Sequence, residues 1–284
     1  MKENSKKLCV AMIVSGIYIE YIPLFLYFMS NSYPEYYSVI VVKDKLTETI
    51  KNNLKLLDNS KFIVREDAYK DFSDEPNTVK TLRWVMFLPE YLEYENVFIG
   101  DIDIFHMREK STLLEKHLKI CEEYSVPFSN TTGIDDKKTR GYRVTGLHFM
   151  NLKELKGKMS LIMFKYYSEL KNNRFPKEFY NDAMKRIDNQ HALYVMLREA
   201  GYEVPDHNHF YYHGFHVGHS RIAGRWTELF KNGNKDEADY EDFYKQFKIL
   251  ADNKIYKKLY SDSSVMVQRE INVMTESLEN FYDN

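Results

Sequence analysis

Apolar residues run along this chain in two rhythms. Leu8–Val14 (LCVAMIV) and Tyr37–Val42 (YSVIVV) are nearly unbroken apolar runs of strand length, the pattern of strands buried on both faces of a parallel sheet. Lys61–Val64 predicts a short third strand, Asn96–Ile99 a fourth, and Val126–Ser129 and Leu147–Asn151 two more. Between them the spacing turns helical. Tyr21–Met29 predicts a buried helix with Pro23 in its first turn. Leu46, Ile50, Leu54 and Leu57 mark one face of a second helix. Thr78–Tyr91 predicts a third, with Pro89 near its end. This alternation predicts an α/β layer with right-handed crossovers. From Leu152 onward helices dominate. Ala192–Ala200 is the strongest of them, stopped by Gly201, and the C-terminal segment is charged, helical and rich in Tyr and Lys.

Leu8–Met29 follows Lys6 and Lys7 and has the apolarity of a signal peptide or membrane span. Glu20 and Pro23 interrupt it, and a carboxylate at the centre of a membrane helix costs roughly 2.5–3.5 kcal/mol. No small-residue cleavage site follows. The segment reads as a strand, a loop and a helix.

Composition narrows the class. A chain of 284 residues suggests about two domains, or one large domain with additions. The net charge of −2 argues against a generally basic nucleic-acid binder, and no nucleic-acid partner is expected. Only Cys9 and Cys121 are present, which excludes a disulfide framework and a four-Cys zinc site and fits a reducing compartment. The 23 tyrosines suit clefts that need an apolar ring and a wet hydroxyl.

Three constellations carry candidate chemistry. Asp101 and Asp103 follow the apolar fourth strand, whose carboxyl end is where ligands sit in open α/β sheets. Read as an extended segment, they point to the same side and share a hard divalent cation such as Mg²⁺ or Mn²⁺, able to clamp a diphosphate. Asp188 and Gln190, in Asp188-Asn189-Gln190-His191, either cap the following helix or face a sugar. His207, His209, His213, His216 and His219 form a histidine-rich stretch. It reads as a zinc site, as the source of one further ligand for the aspartate site, or as an aromatic structural cluster. Arg221 and Arg225 follow it and suit phosphate, and Arg83 lies on the helix before the aspartates.

The segment TLRWVMFLPEYLEYENVFIGDIDIF (Thr81–Phe105) resembles the metal-binding segment of GT-A-fold nucleotide-sugar glycosyltransferases, nearest the family 8-like group that contains glycogenin and bacterial lipopolysaccharide galactosyltransferases. Arg83, Leu88-Pro89, Asp101 and Asp103 match its Arg-bearing helix, Leu-Pro and DxD. Thr145–Leu155 resembles the family's N-A-G-V-x-x-x-N-L at Gly146, Asn151 and Leu152, with Val144 at the leading Asn. Asp188–Leu193 resembles D-Q-D-x-L-N, with Gln190 at the Gln. His216-Val217-Gly218-His219-Ser220-Arg221 resembles H-x-x-G-x-x-K, one residue short between His and Gly and with Arg for Lys.

The resemblance implies a GT-A (Rossmann-like), mainly parallel sheet flanked by helices over residues 1–226, and a helical C-terminal extension over 227–284. It implies a hexosyltransferase moving sugar from a UDP-linked donor to a glycan or lipid-linked acceptor in surface polysaccharide synthesis. Asp101, Asp103 and His216 would hold Mn²⁺ or Mg²⁺. Arg83, Gly218 and Arg221 would meet the donor phosphates, Ser15, Gly16 and Tyr18 would border the nucleoside, and Asp188 and Gln190 would face the sugar. Two other readings stand beside it. A sugar nucleotidyltransferase also uses paired carboxylates, but Val14–Glu20 has one Gly and no basic residue where such enzymes carry a Gly-rich basic loop. A non-catalytic zinc-binding protein is the other. The expected location is cytoplasmic, with peripheral contact to the inner face of a membrane through Phe243–Tyr260, where aromatics mix with Lys245, Lys248, Lys254, Lys257 and Lys258.

Overall fold

The computed structural model describes residues 6–133, 137, 139–144, 147–155, 157–206, 213–232 and 239–283. Its centre is a five-stranded sheet. The first strands and helices are β1 (Lys6–Val14), α1 (Ile22–Ser32), β2 (Tyr37–Val42), α2 (Glu48–Leu54), β3 (Phe62–Arg65), α3 (Pro76–Val85) and β4 (Tyr94–Ile99). Next come β5 (Ile104–His106), α4 (Leu113–Tyr124), β6 (His148–Asn151), α5 (Leu152–Leu155), α6 (Lys158–Lys171) and the two-residue strands β7 (Tyr180–Asn181) and β8 (Arg186–Ile187). The chain continues through α7 (Asn189–Glu199), β9 (Gly214–His216), α8 (Arg225–Asn232), α9 (Tyr240–Ala251), α10 (Lys254–Asp262) and α11 (Val265–Tyr282). The sheet order is β3-β2-β1-β4-β6, parallel except for the β4–β6 pair. It is therefore a mixed, mainly parallel α/β sheet flanked by helices.

The apolar runs form strands because both faces of the sheet are covered. Leu8, Val10, Met12 and Val14 enter one core with Ile40, Val42 and Phe98, while Cys9 and Ala11 enter the other with Val39, Val41, Val97 and Ile99. The first face is covered by α1 and by the C-terminal helices α8–α11, and the second by α3 and α5–α7. On the first face Phe28 stacks on Phe105 of β5 and on Phe247 of α9, at ring separations of 4.4 and 5.9 Å. The C-terminal helices thus share one continuous core with β1.

Several boundaries differ from the sequence reading. The third helix stops at Val85, not Tyr91, because Pro89 opens a separate 3₁₀ turn over Pro89–Glu93. Val126–Ser129 is not a strand: only Phe128 bridges Met150. The helix expected from Ala192 begins at Asn189, where Asp188 caps it. The basic aromatic stretch Phe243–Tyr260 buries Phe243, Tyr244, Phe247, Tyr256 and Leu259 in the core. Its Lys245, Lys248, Lys257 and Lys258 pair with Glu241, Asp283, Asp252 and Asp262. The membrane reading is left without an apolar face there, Ile249 aside. Among the described residues no helix is long and apolar enough to cross a membrane.

Candidate functional site

Strand order reverses between β1, which leads outward to β2 and β3, and β4, which adds on the other side. Such a switch point opens a crevice at the carboxyl ends of the strands. Here it is a cleft of about 850 Å³, lined by Ser15, Gly16, Tyr18, Arg83, Asp101, Asp103, Asp188, Gln190, His216, Gly218 and Arg221, whereas Arg225 lies outside it and pairs with Glu228. Ser15, Gly16 and Tyr18 come from the end of β1, Asp101 and Asp103 from the end of β4, Arg83 from α3, and Asp188 and Gln190 from the start of α7. His216 ends β9, and Gly218 and Arg221 lie on the 3₁₀ turn Val217–Arg221. Gly146, His207 and His209 lie outside the described residues.

The aspartates do not form the extended pair that their spacing predicts. The β4 ladder ends at Ile99, and the chain turns so that the Ile104 N–H donates to the Asp101 carbonyl at 3.4 Å. The two side chains take different partners. Asp101 accepts a hydrogen bond from Arg83 Nη1 at 2.8 Å. Asp103, buried, has His216 Nε2 3.3 Å from Oδ1 and Arg221 Nη2 3.4 Å from Oδ2.

Strand pairing explains the second meeting. β9 runs antiparallel to β5 with His216 opposite Ile104, and the Val217 N–H donates to the Asp103 carbonyl at 2.8 Å. Burial pushes the Asp103 carboxyl up, but the His216 hydrogen bond and the His216 and Arg221 charges outweigh it and hold the group below the usual carboxylate range. The same contact outweighs burial at His216 and raises its imidazole.

Among the described residues, no three His, Cys, Asp or Glu side chains are grouped closely enough to hold a metal in this conformation. The donor set of Asp101, Asp103 and His216 nonetheless suits a hard divalent cation. Gly218 leaves room beside two of these groups: a Cβ there would lie 2.6 Å from Asp103 Oδ2 and 3.2 Å from His216 Nε2. Only glycine keeps that space open.

The other described histidines separate by environment. His213 points into the interior, with Nδ1 2.6 Å from Glu109 Oε2 and Nε2 3.0 Å from His117 Nε2. His117 Nδ1 lies 2.7 Å from Ser129 Oγ, and Lys116 donates to Glu109 at 2.6 Å. His219 lines the cleft but packs its ring against His216 and Trp226, at 4.6 and 5.6 Å, and burial followed by the His216 charge pushes it down to about 3.

Asp188 serves as the cap of α7, its Oδ1 accepting from the backbone N–H groups of Gln190 and His191 at 2.8 and 2.9 Å. Its Oδ2 faces Arg143 and Arg186, at 3.4 and 3.9 Å. The sequence reading did not single out either arginine. Both line the cleft, and the buried Arg143 Nε has no hydrogen-bond partner among the described residues. At the end of β1 Gly16 adopts a φ of +57° that favours glycine, and its N–H donates to Asp44 at 3.3 Å. Arg221 donates from Nη1 to the Tyr18 hydroxyl at 2.9 Å.

No protein-family model matches the sequence, and no curated protein matches it. Among solved structures the chain is similar to the galactosyltransferase LgtC in complex with donor and acceptor sugar analogs (TM-score 0.35, 11% identity, 57% of this chain and 66% of that one). It is also similar to an active-site mutant of LgtC (TM-score 0.36, 12% identity, 62% and 67%). A third is the apo form of the glycosyltransferase GlyE from Streptococcus pneumoniae (TM-score 0.43, 11% identity, 79% and 50%). The chain spans between half and two thirds of the length of these proteins.

Proposed function

We propose that this chain is a glycosyltransferase that moves a hexose from a UDP-linked donor to a hydroxyl of a glycan or lipid-linked acceptor in surface polysaccharide synthesis, with Mn²⁺ or Mg²⁺ as cofactor. The observation that carries the reading is the convergence, at the strand-order switch point, of Asp101, Asp103 and His216 with Arg83 and Arg221. Breaking the bond between an anomeric carbon and a diphosphate leaves positive charge on the sugar and negative charge on the leaving group. A site for this reaction needs fixed positive charge at the diphosphate.

In this reading Asp101, Asp103 and His216 hold the divalent ion, which when bound supplies a Lewis acid for the diphosphate oxygens. Arg83 and Arg221 add positive charge beside it, and because both are already hydrogen-bonded they need little reorganisation. Gly218 carries no Cβ, which leaves the space beside Asp103 and His216 open to the ion and the phosphate oxygens. Ser15, Gly16 and Tyr18 border the nucleoside at the end of β1. Asp188 fixes the start of α7, placing Gln190 and the Arg143 guanidinium along the sugar.

Thermal unfolding with UDP, GDP and ADP tests the reading. In Mn²⁺, UDP at about a hundred times its dissociation constant is expected to raise the midpoint by about 5 °C, and excess chelator to abolish the shift. Metal-dependent hydrolysis of a panel of UDP-sugars then identifies the donor. If no nucleoside diphosphate stabilises the chain, or turnover is complete in excess chelator, the reading is abandoned.

A further inference from the structure

The last helix, α11, buries Val267, Ile271, Met274 and Leu278, and one carboxylate sits on the same stripe. Glu270 is 2% exposed. A charge in such a place is costly unless it is paired and hydrogen-bonded. Its partner is Arg221, which donates from Nε to Oε1 at 2.8 Å and from Nη2 to Oε2 at 2.9 Å, a two-pronged fork. The Tyr21 hydroxyl donates to the same carboxylate, and Ser220 Oγ donates to the Glu270 carbonyl at 2.7 Å. Helix α11 thereby clamps the 3₁₀ turn that carries Arg221. Burial and the neighbouring Glu270 push the Tyr21 phenol up, which keeps it a donor.

The fork fixes one edge of the guanidinium. The rest of the group faces the cleft, 5.1 Å over the Tyr18 ring, with Nη1 on the Tyr18 hydroxyl and Nη2 3.4 Å from Asp103 Oδ2. Asp103 is therefore a second carboxylate within reach. Without Glu270, the guanidinium is left to pair with Asp103 and to occupy the oxygens that would otherwise meet the cation.

We infer that Glu270 is a positioning residue: it holds the Arg221 guanidinium at the diphosphate position and limits its contact with Asp103 to the one 3.4 Å approach, so that the C-terminal helix takes part in donor binding. This inference rests on the donor-binding reading above.

The test is isothermal titration of UDP, in Mn²⁺, into the whole chain, the Glu270→Gln, Arg221→Ala and double variants. Mn²⁺ alone is titrated in parallel. Glu270→Gln is expected to weaken UDP about tenfold, the worth of a charge-assisted hydrogen bond. The double variant is expected to bind UDP no more weakly than Arg221→Ala alone, because Glu270 acts only through Arg221. Mn²⁺ alone is expected to bind more weakly to Glu270→Gln than to the parent, and the double variant to recover parental Mn²⁺ affinity. If Glu270→Gln does not fold, Glu270→Asp, which keeps the charge but withdraws the fork, is expected to show the same loss of UDP affinity. Parental UDP affinity in a folded Glu270 variant, or additive losses in the double variant, overturns the positioning role and leaves the donor reading standing. A parent that binds no UDP in Mn²⁺ overturns the donor reading and this inference with it.

Discussion

His216 Nε2 lies 3.3 Å from Asp103 Oδ1, brought there by a strand pair that joins the residues just after the aspartates to the residues just before the 3₁₀ turn. His213, three residues earlier, faces the other way: its φ of +56° turns the chain, and its ring is spent on Glu109 and His117. The two histidines should therefore fail differently when removed. His216→Ala is expected to raise the Mn²⁺ concentration for half-maximal UDP binding at least about tenfold, and also to cost about 1 kcal/mol of stability because buried Asp103 loses a hydrogen-bond partner. His213→Ala is expected to leave the Mn²⁺ requirement unchanged and to lower stability by about 2 kcal/mol, because Glu109 and His117 lose a buried partner. Paired Mn²⁺ titrations and urea melts read both effects, and equal Mn²⁺ requirements in the two variants would contradict the assignment.

Gly218 offers a sharper probe of the same space. A methyl group there meets Asp103 Oδ2 at 2.6 Å, closer than real Cβ contacts allow, and the Arg221 Nη1 at 3.4 Å. Its backbone φ is ordinary, so the conflict is with the site and not with the turn. Gly218→Ala is expected to fold and to lose about tenfold or more in UDP affinity in Mn²⁺. Parental affinity in titration calorimetry would mean that the space is not used by ligand.

These contrasts mark what the chain reveals locally and what it does not. β1, β2 and β4 were legible because both faces of the sheet are buried, which writes continuous apolar runs into the sequence. The aspartate motif was legible as a position but not as a shape: Asp101 and Asp103 lie on a turn and take different partners because β4 stops pairing at Ile99 and β5 then pairs with a strand far along the chain. Arg143, on a connecting segment, and Arg186, on the two-residue β8, gave no signal, since single arginines look alike until the fold places them. Glu270 did give one. It interrupts the apolar stripe of Val267, Ile271, Met274 and Leu278, and a carboxylate on such a stripe needs a buried cation opposite it.

Stability should depend on pH through histidines that the site does not use. His106 and His148 are wholly buried, and their ring nitrogens have no hydrogen-bond partner among the described residues. Burial pushes both down to about 3, helped at His106 by the His213 charge. An unfolded histidine titrates near 6.5, so below that pH the unfolded chain takes up protons that the folded chain refuses. Their contribution is complete above 6.5 and is lost as pH falls toward 3. Together they are expected to cost about 4 kcal/mol between about pH 8 and pH 5. Urea midpoints across that range check this, and a flat profile contradicts it.

Asp188 separates two roles that the sequence left open, a helix cap and a group facing the sugar. Its Oδ1 accepts two backbone N–H groups at the start of α7, while Oδ2 faces Arg143 and Arg186 on the cleft wall, and the residue is only 4% exposed. Asn is as good a cap as Asp but carries no charge. Asp188→Asn should therefore keep the helix start and leave the two arginines without their carboxylate, whereas Asp188→Ala loses both functions. The expected result is a stability loss of about 1 kcal/mol for Asp188→Asn, from Arg143 left without its carboxylate, and about 2 kcal/mol or more for Asp188→Ala, which loses the cap as well. Both variants should bind UDP itself almost as the parent does, since the proposed diphosphate position is at Asp101, Asp103 and Arg221, and both should turn over the UDP-sugar donor at least about tenfold more slowly. Turnover that is normal in Asp188→Asn and impaired only in Asp188→Ala would reduce Asp188 to a cap and move the sugar-facing role to Gln190 and Arg143.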